Sequence, residues 1–295
     1  MGLSKLNIYM ELLKPKLTLS TVLAALGGAF YLGPPQTPLE WTLIALVLAG
    51  VTLANMSVHA IDDYMEYREG LGPMTPRTPL AGKVLVGDLL SPGEALALFA
   101  ITAVPALLIG VYFTLLRGLL ILLLVFIGVL MIFTYSVLIS RVGLSEPIVW
   151  LKGILVFAGS VYAVKGLMPP EAFIVGAIYG FTSAYSLYVA HTPPAEGYKA
   201  MGKKHLPVLL GPRAWAGATA IAVATIIFLV LSILMELLTP LASIALIPAL
   251  ALVLISTTLK TRNQEELNKT ARKAFKTARI TDLTLVMAII ASSIL

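Results

Sequence analysis

Residues 55–70 of the chain read NMSVHAIDDYMEYREG. This stretch begins inside an apolar run, residues 41–61, and it ends in a group of carboxylates. A helix that spans a bilayer needs about 20 apolar residues, so the acidic group falls at the edge of a membrane core. Ionisable groups are costly at that depth and are functional-site candidates by default. The stretch therefore predicts a membrane helix that ends in a binding site.

The composition is that of an integral membrane protein. Of the 295 residues, 58% are hydrophobic and 12% are charged, whereas a soluble domain carries about 25% charged residues. The chain has no cysteine, which excludes disulfides, thiolate metal sites and cysteine nucleophiles. Basic residues that flank membrane spans account for the formal net charge of +6. We expect no nucleic-acid partner, because no basic surface with interleaved aromatic residues lies outside the loops.

The apolar runs predict an all-α, polytopic membrane bundle of about nine transmembrane helices, with residues 1–295 forming a single domain. Proline, glycine and charge clusters separate the runs. The predicted spans are residues 17–33, 41–61, 94–113, 117–135, 147–166, 172–191, 213–235, 239–259 and 279–295. The break at residues 236–240 is weak, so eight spans remain an alternative. The charged segment 260–279 is typical of a surface helix near lipid headgroups.

The distribution of Lys and Arg predicts the orientation of the bundle. With a cytoplasmic N-terminus, 18 of these residues fall on the cytoplasmic side, and only Arg117 and Lys165 fall on the other. Lys152 lies within a span, where pairing inside the bundle is expected, as it is for Glu146. Two long cytoplasmic loops, residues 62–93 and 191–212, then cap a cytoplasmic site, and the C-terminus is external.

The polar residues of the opening stretch share one face of its helix. At about 100° per residue, that face holds Asn55, His59, Asp62, Glu66 and Glu69, with Asp63 at its edge. Like charges this close need a cation, and carboxylate oxygens favour Mg²⁺ bound together with substrate phosphates. Asp62, Asp63 and Glu66 are therefore candidate ligands. The alternative is a solvated acidic helix end.

Basic residues follow the acidic group in the run RTPLAGK, residues 77–83. Arg77 offers bidentate phosphate contacts, and Lys83 offers a mobile point charge. Pro76 and Pro79 stiffen the loop between them. The alternative is that both residues contact lipid headgroups and fix the orientation of the neighbouring spans.

These motifs resemble those of the UbiA superfamily of membrane prenyltransferases, in its quinone-type branch. Residues 62–70 resemble the first Asp-rich motif, residues 77–83 resemble an Arg-Pro-Leu-x-x-Gly run, and residues 13–19 (LKPKLTL) resemble an N-terminal Lys-Pro-x-x-Leu signature. Tyr135 resembles the Tyr that ends the fourth span. The second loop departs from the family pattern, because Pro194 and Tyr198 stand where the family places two aspartates.

The resemblance implies a Mg²⁺-dependent enzyme that moves a prenyl group from an allylic prenyl diphosphate to an aromatic or lipid acceptor in the bilayer. It implies catalytic and metal-binding roles for Asp62, Asp63 and Glu66, with Glu196 as the only acidic candidate in the second loop. The implied substrate-binding residues are Asn55, His59, Arg77, Lys83, Tyr135, Arg141, Tyr188, Lys199 and Lys203.

The role of three tyrosines and the function of the chain each have more than one interpretation. Tyr179, Tyr185 and Tyr188 can line a pocket and stabilise a carbocation through their ring faces, or they can anchor a helix at the lipid interface. The chain can also be a non-catalytic relative that binds isoprenoids or lipids. A transporter is disfavoured, because the carboxylates cluster at one end rather than at the midplane.

Overall fold

The structure, a computed structural model, describes residues 4–69, 85, 89–261 and 263–295. Those residues form helices, turns and connecting segments, and they contain no β-strand. Arg77 and Lys83 lie outside the described residues, so their roles stay predictions.

Thirteen α-helices follow one another in the described part of the chain. The first seven are α1 (Lys5–Leu13), α2 (Pro15–Phe30), α3 (Pro38–Arg68), α4 (Pro92–Arg117), α5 (Leu119–Thr134), α6 (Ser140–Val142) and α7 (Ser145–Lys165). The other six are α8 (Glu171–His191), α9 (Ala195–Ala200), α10 (Leu206–Leu210), α11 (Ala214–Leu234), α12 (Leu246–Thr257) and α13 (Gln264–Ile294). A π-helical turn, Tyr135–Ile139, joins α5 to α6.

Local sequence signals set the starts of the two long helices that surround the acidic stretch. The Thr37 hydroxyl accepts a hydrogen bond from the Glu40 amide at 3.2 Å, with Pro38 at the first helical position of α3. Ser91 and Glu94 form a reciprocal capping box at the start of α4. These caps satisfy amide groups that a helix start otherwise leaves unpaired.

Seven described stretches are helical, long and apolar enough to cross a membrane, and the apolar helix α5 is shorter. Each of the nine predicted spans coincides with part of a described helix, but nine crossings remain a prediction because α2 has only 16 residues. The predicted break between the seventh and eighth spans, at residues 236–240, is present in the structure. Helix α11 ends at Leu234, and the chain turns through Glu236, which has a φ of +60°.

The charged segment 260–279 and the predicted last span belong largely to one helix, and a position near the lipid headgroups stays a prediction. Residues 264–279 form the first half of α13, which continues unbroken to Ile294. Ala271, Ala274 and Ala278 are fully buried on one face of this half, packed against neighbouring helices. The small side chains bring the charged helix into the bundle, and its Lys and Arg residues lie mainly on the other faces.

Helix α8 lies at the centre of the bundle and packs along α7, with α2, α11 and α13 also against it. Glycines allow the close approach of α7 and α8. A Cβ on Gly153 would meet the backbone of Gly180, and a Cβ on Gly180 would meet the carbonyl oxygen of Trp150. Small residues at helix interfaces are the usual basis of tight packing in membranes.

Gly180→Ala is therefore expected to lower stability by about 1–3 kcal/mol, because backbone atoms cannot move aside as a flexible side chain can. The matched control is Gly128→Ala, where an added Cβ finds no atom within 4 Å. That change should be neutral or slightly stabilising, since Ala is the better helix former. Thermal unfolding in detergent compares the two, and equal melting temperatures would contradict the packing argument.

The predicted orientation can be tested directly, because the chain has no native cysteine. Single cysteines at three exposed positions, Gln36, Ala200 and Leu295, probe both sides of the membrane. A membrane-impermeant maleimide added to intact cells should label Gln36→Cys and Leu295→Cys. It should label Ala200→Cys only after the membrane is permeabilised. The cysteine-free parent is the blank, and a protected Leu295→Cys would mean that the number of spans is wrong by one.

Candidate active site

A cavity of about 630 Å³ runs through the bundle from a charged end to an apolar end. The charged end is lined by Lys14, Asp62, Glu66, Tyr198, Lys203 and His205. The apolar end is lined by side chains of α3, α4 and α5, among them Val47, Phe113, Ile121, Leu124 and Val125. One continuous space thus offers ionic contacts at one end and lipid-like surroundings at the other.

The polar face of α3 is directed into this cavity. Asn55, His59, Asp62 and Glu66 all line it. Asp63, at the edge of the predicted face, is not among the lining residues and pairs with Lys14 instead. The helical periodicity therefore brings together four of the five residues of the predicted face, whereas Glu69 is not among the lining residues and pairs with Arg141. The chemical roles of the four stay predictions.

Lys14 holds the N-terminal segment against the acidic stretch. Its Nζ lies 2.8 Å from Asp63 Oδ1, and the two side chains are only 8% and 2% exposed. Lys14 joins α1 to α2 in a left-handed conformation with a φ of +49°. Such a conformation is uncommon for a residue other than glycine and persists only when the surroundings impose it. The Lys-Pro motif at this position did not by itself predict that Lys14 belongs to the site.

The second loop contributes a lysine to the same end of the cavity. Lys203 Nζ forms an ion pair with Glu66 Oε1, and both side chains are buried. The same ammonium lies 5.8 Å from the centre of the Tyr198 ring, within reach of a cation–π contact. The adjacent Lys204 amide donates to the Ser140 carbonyl at 2.8 Å and fastens the loop to α6. A cation from the second loop therefore neutralises a carboxylate of the first motif.

Two histidines and a glutamate form a buried cluster beside this lysine. The rings of His191 and His205 stack with centroids 3.8 Å apart, and the Tyr198 ring meets both edge-on. His205 Nδ1 lies 3.1 Å from Ser145 Oγ, and Glu146 Oε2 accepts from the Leu206 amide at 3.1 Å. Burial, together with His191, lowers the pKa of His205 to about 2, so this imidazole is neutral at physiological pH.

Ligand atoms of Glu146, His191 and His205 lie within 4.8 Å of one another, a spacing that can suit a metal ion. The two rings are only 31° from parallel. The nitrogen lone pairs of the two rings therefore lie in separate, nearly parallel planes 3.8 Å apart at the ring centres. As it stands, the cluster packs the second loop against α7 and α8.

Of the other predicted residues, only Tyr135 is among those that line the cavity in the described part of the chain. Arg141 pairs with Glu69 at 2.7 Å and is 47% exposed, whereas Tyr135 lines the cavity. Glu196 and Lys199 are exposed on α9 and are not among the lining residues. The structure thus does not bring these last two to the cavity.

The three tyrosines of α8 are core residues. Tyr179, Tyr185 and Tyr188 are all fully buried. The interpretation that they anchor a helix at the lipid interface is therefore wrong. None of them is among the residues that line the cavity. The Tyr188 hydroxyl donates to the Ala214 carbonyl at 2.6 Å, and its ring packs beside Gly217. Tyr188 therefore joins α8 to α11 and does not reach the substrate space.

A second polar group, which the sequence did not predict, lies deeper in the cavity. Lys152 Nζ donates to Asn55 Oδ1 at 3.1 Å and to Thr21 Oγ1 at 3.2 Å. Arg279 was placed among the cytoplasmic charges, but it lines the cavity and donates to the Leu17 carbonyl at 3.1 Å. The burial of Ala271, Ala274 and Ala278, every three or four residues, is the signal that turns this face of α13 inward.

The sequence matches that of a known protein family. A family model described as the UbiA prenyltransferase family matches residues 19–280. The chain belongs to this family. No curated protein matches it significantly.

Solved structures share the UbiA fold at low sequence identity. An apo UbiA homolog from Aeropyrum pernix K1 has a TM-score of 0.72 and 18% identity, over 95% of this chain and 98% of that one. A digeranylgeranylglyceryl phosphate synthase structure has a TM-score of 0.63 and 18% identity, over 98% and 100% of the two chains. A UbiA homolog from Archaeoglobus fulgidus bound to DMAPP and Mg²⁺ has a TM-score of 0.62 and 16% identity, over 96% and 99%. The all-helical membrane fold is thereby confirmed.

The acidic residues of this UbiA family member fit a hard divalent cation. Asp62 and Glu66 stand one helical turn apart on α3, and both line the cavity. Carboxylate oxygens of this kind, completed by water and phosphate oxygens, are the donors that Mg²⁺ prefers. Asp63 is directed to Lys14 and supports the site from behind.

Removal of Lys203 should leave Glu66 as an uncompensated buried charge. Lys203→Met is expected to cost about 3–5 kcal/mol of stability, whereas Lys199→Met, at an exposed position of the same loop, should change it by less than about 0.5 kcal/mol. Unfolding midpoints in detergent measure both effects. Adding Glu66→Gln to Lys203→Met should restore much of the loss, and a double variant no more stable than the single one would contradict the pairing.

Proposed function

We propose that this protein is a membrane prenyltransferase that moves a prenyl group from an allylic diphosphate to an acceptor held in the same cavity. The observation that carries the proposal is the single cavity of about 630 Å³ with Asp62, Glu66, Lys14 and Lys203 at one end and apolar side chains at the other. The proposed substrate, an allylic prenyl diphosphate, likewise has a charged diphosphate head at one end and a hydrocarbon tail at the other. Family membership and the neighbours bound to prenyl diphosphates and Mg²⁺ support it.

The charged end suits the diphosphate. Mg²⁺, held by Asp62 and Glu66 with Asp63 behind them, would neutralise the diphosphate and make it a better leaving group. Lys14 and Lys203 contact phosphate oxygens as point charges, in exchange for their present carboxylate partners. Arg77 and Lys83, outside the described residues, are proposed to take up the remaining charge. Glu196 stays a predicted ligand only.

The rest of the cavity protects the reacting carbon. As the C–O bond to the diphosphate breaks, positive charge grows on the allylic carbon, and a new bond forms to the acceptor, which loses a proton. The rings of Tyr135 and Tyr198 line the cavity near Asp62 and Glu66 and can stabilise that charge through their faces. The apolar side chains of α4 and α5 hold the tail and keep out water, which would otherwise capture the cation.

The second loop of this site departs from the family pattern at two positions. The family resemblance places aspartates where Pro194 and Tyr198 stand, and Lys203 reaches the cavity from the same loop. We propose that this lysine takes the place of a second metal on the diphosphate. The acceptor is an aromatic compound or a lipid, and the quinone-type branch remains the proposed placement within the superfamily.

Substitution of Asp62 tests the proposal. Asp62→Asn should reduce Mg²⁺-dependent transfer of a labelled prenyl group from geranylgeranyl diphosphate into a total lipid and quinone-precursor extract by about two orders of magnitude. Glu265→Gln, an exposed acid on α13, is the matched control and should retain activity. Binding of a thio-analogue of the diphosphate by the same variants separates loss of binding from loss of chemistry.

The non-catalytic alternative makes a different prediction in the same assay. A protein that only binds isoprenoids would bind the thio-analogue but release no diphosphate with any fraction of the extract. Analogue binding that needs no Mg²⁺ and is unchanged in Asp62→Asn would contradict the assignment of the charged end.

A further inference from the structure

The buried cluster of Glu146, His191 and His205 is not used by the transfer chemistry above. Three separate elements supply it: Glu146 lies in the first turn of α7, His191 ends α8, and His205 directly precedes α10. The three residues are only 2%, 8% and 2% exposed. Their candidate ligand atoms all lie within 4.8 Å of one another. Side chains that are far apart in the sequence thus converge on one small buried space.

The Glu146 carboxylate has one oxygen available for a ligand. Its Oε2 accepts from the Leu206 amide at 3.1 Å, whereas Oε1 is buried and has no hydrogen-bond partner in the described part of the chain. Among the described residues no lysine or arginine pairs with Glu146, and its ion-pair contact is His191 Nδ1 at 3.6 Å. An imidazole is charged only when it is protonated. Buried carboxylates in proteins are paired or coordinate metals, so Oε1 is a candidate metal ligand.

The histidines have the surroundings that metal ligands have. A histidine that binds a metal usually directs its other ring nitrogen to a fixed oxygen, which sets the orientation of the ring. His205 has such a partner, because its Nδ1 lies 3.1 Å from Ser145 Oγ. The rings of His191 and His205 are stacked at 31° from parallel. The χ2 torsion of histidine is broad, so rotation about it can direct one nitrogen of each ring toward a shared ion.

The donor atoms select the kind of ion. Two imidazoles and one carboxylate, in a chain without cysteine, are a ligand set typical of Zn²⁺ and of other divalent transition metals. Mg²⁺ instead prefers an octahedron of oxygen ligands. Three protein ligands leave one position of a tetrahedral ion for water, and His191 and His205 line the cavity from which water can reach it. The cluster therefore differs in its chemistry from the carboxylates of the charged end.

We propose that Glu146, His191 and His205 bind a divalent transition-metal ion of the zinc class, and that this ion holds the second loop against α7 and α8. His205 follows Lys203 by two residues, and Lys203 pairs with Glu66 at the charged end. The ion thereby fixes the segment that brings Lys203 into the cavity. It has a structural role and is separate from the Mg²⁺ of the transfer reaction, so the inference goes beyond the proposed function and does not depend on it.

A zinc titration of the purified protein tests the inference. After treatment with a chelator, the parent protein in detergent should bind a single Zn²⁺ tightly in the presence of a large excess of Mg²⁺, as measured by isothermal titration calorimetry. Co²⁺ in the same site should give the visible absorption of a four-coordinate ion, and this measurement needs no substitution. A parent protein that binds no Zn²⁺ under these conditions would overturn the inference and would favour a plain ion pair between Glu146 and a protonated His191.

Variants assign the bound ion to the cluster. His205→Gln and Glu146→Gln should each weaken Zn²⁺ binding at least about tenfold, since loss of even an outer partner of a metal ligand costs that much. His59→Gln is the matched control, because it removes the remaining histidine of the chain, which lines the same cavity from α3. It should bind Zn²⁺ as the parent does, and so should Asp62→Asn. Binding that is unchanged in both cluster variants, or lost in Asp62→Asn, would overturn the inference.

Limited proteolysis tests whether the ion holds the second loop. Lys199 is exposed on α9, between His191 and His205 in the sequence, and cleavage by trypsin there requires local opening. Saturating Zn²⁺ should slow this cleavage at least about tenfold in the parent protein and should leave it unchanged in His205→Gln. Zn²⁺ that binds without slowing cleavage would overturn the structural role. These measurements contain no prenyl diphosphate, so their failure is distinguishable from failure of the transfer assay that tests the proposed function.

Discussion

The pairing of α3 carboxylates with lysines from distant segments is the interaction on which the site depends. Lys14 reaches Asp63 from the start of the chain, and Lys203 reaches Glu66 from the second loop. Both pairs are buried, and a buried charge that loses its partner is strongly destabilising. The acidic stretch therefore fixes the positions of two peripheral segments, and those segments in turn deliver cations to the charged end of the cavity.

The face of α3 could be predicted because helical periodicity alone determines which side chains share a direction. The membrane fold followed equally from the long apolar runs. The partners of the acids could not be predicted, because nothing in the local sequence shows that Lys14 and Lys203 meet the same helix. The inward direction of Arg279 could not be predicted for a related reason: its segment is rich in charge, and only the packing of its alanines against neighbouring helices turns this face inward.

The second loop shows how a site can change its chemistry while keeping its architecture. Tyr198 stands where the family resemblance places a carboxylate, and its ring lies against a stack of two imidazoles. With an acid replaced by an aromatic residue and a lysine turned into the cavity, this side of the site is less negative. Under the proposed function, a diphosphate would meet positive charge there directly instead of through a second metal ion.

The contact between Gly153 and Gly180 has a consequence for the cavity, although neither residue lines it. Gly153 follows Lys152 directly, and Gly180 lies on the helix that ends at His191. Because their backbones are in contact, the two glycines set the distance between α7, which carries Lys152, and α8, which carries His191 of the imidazole stack. Substrate preference in this protein is thus expected to depend on the distance between α7 and α8 as well as on the side chains that contact the substrate.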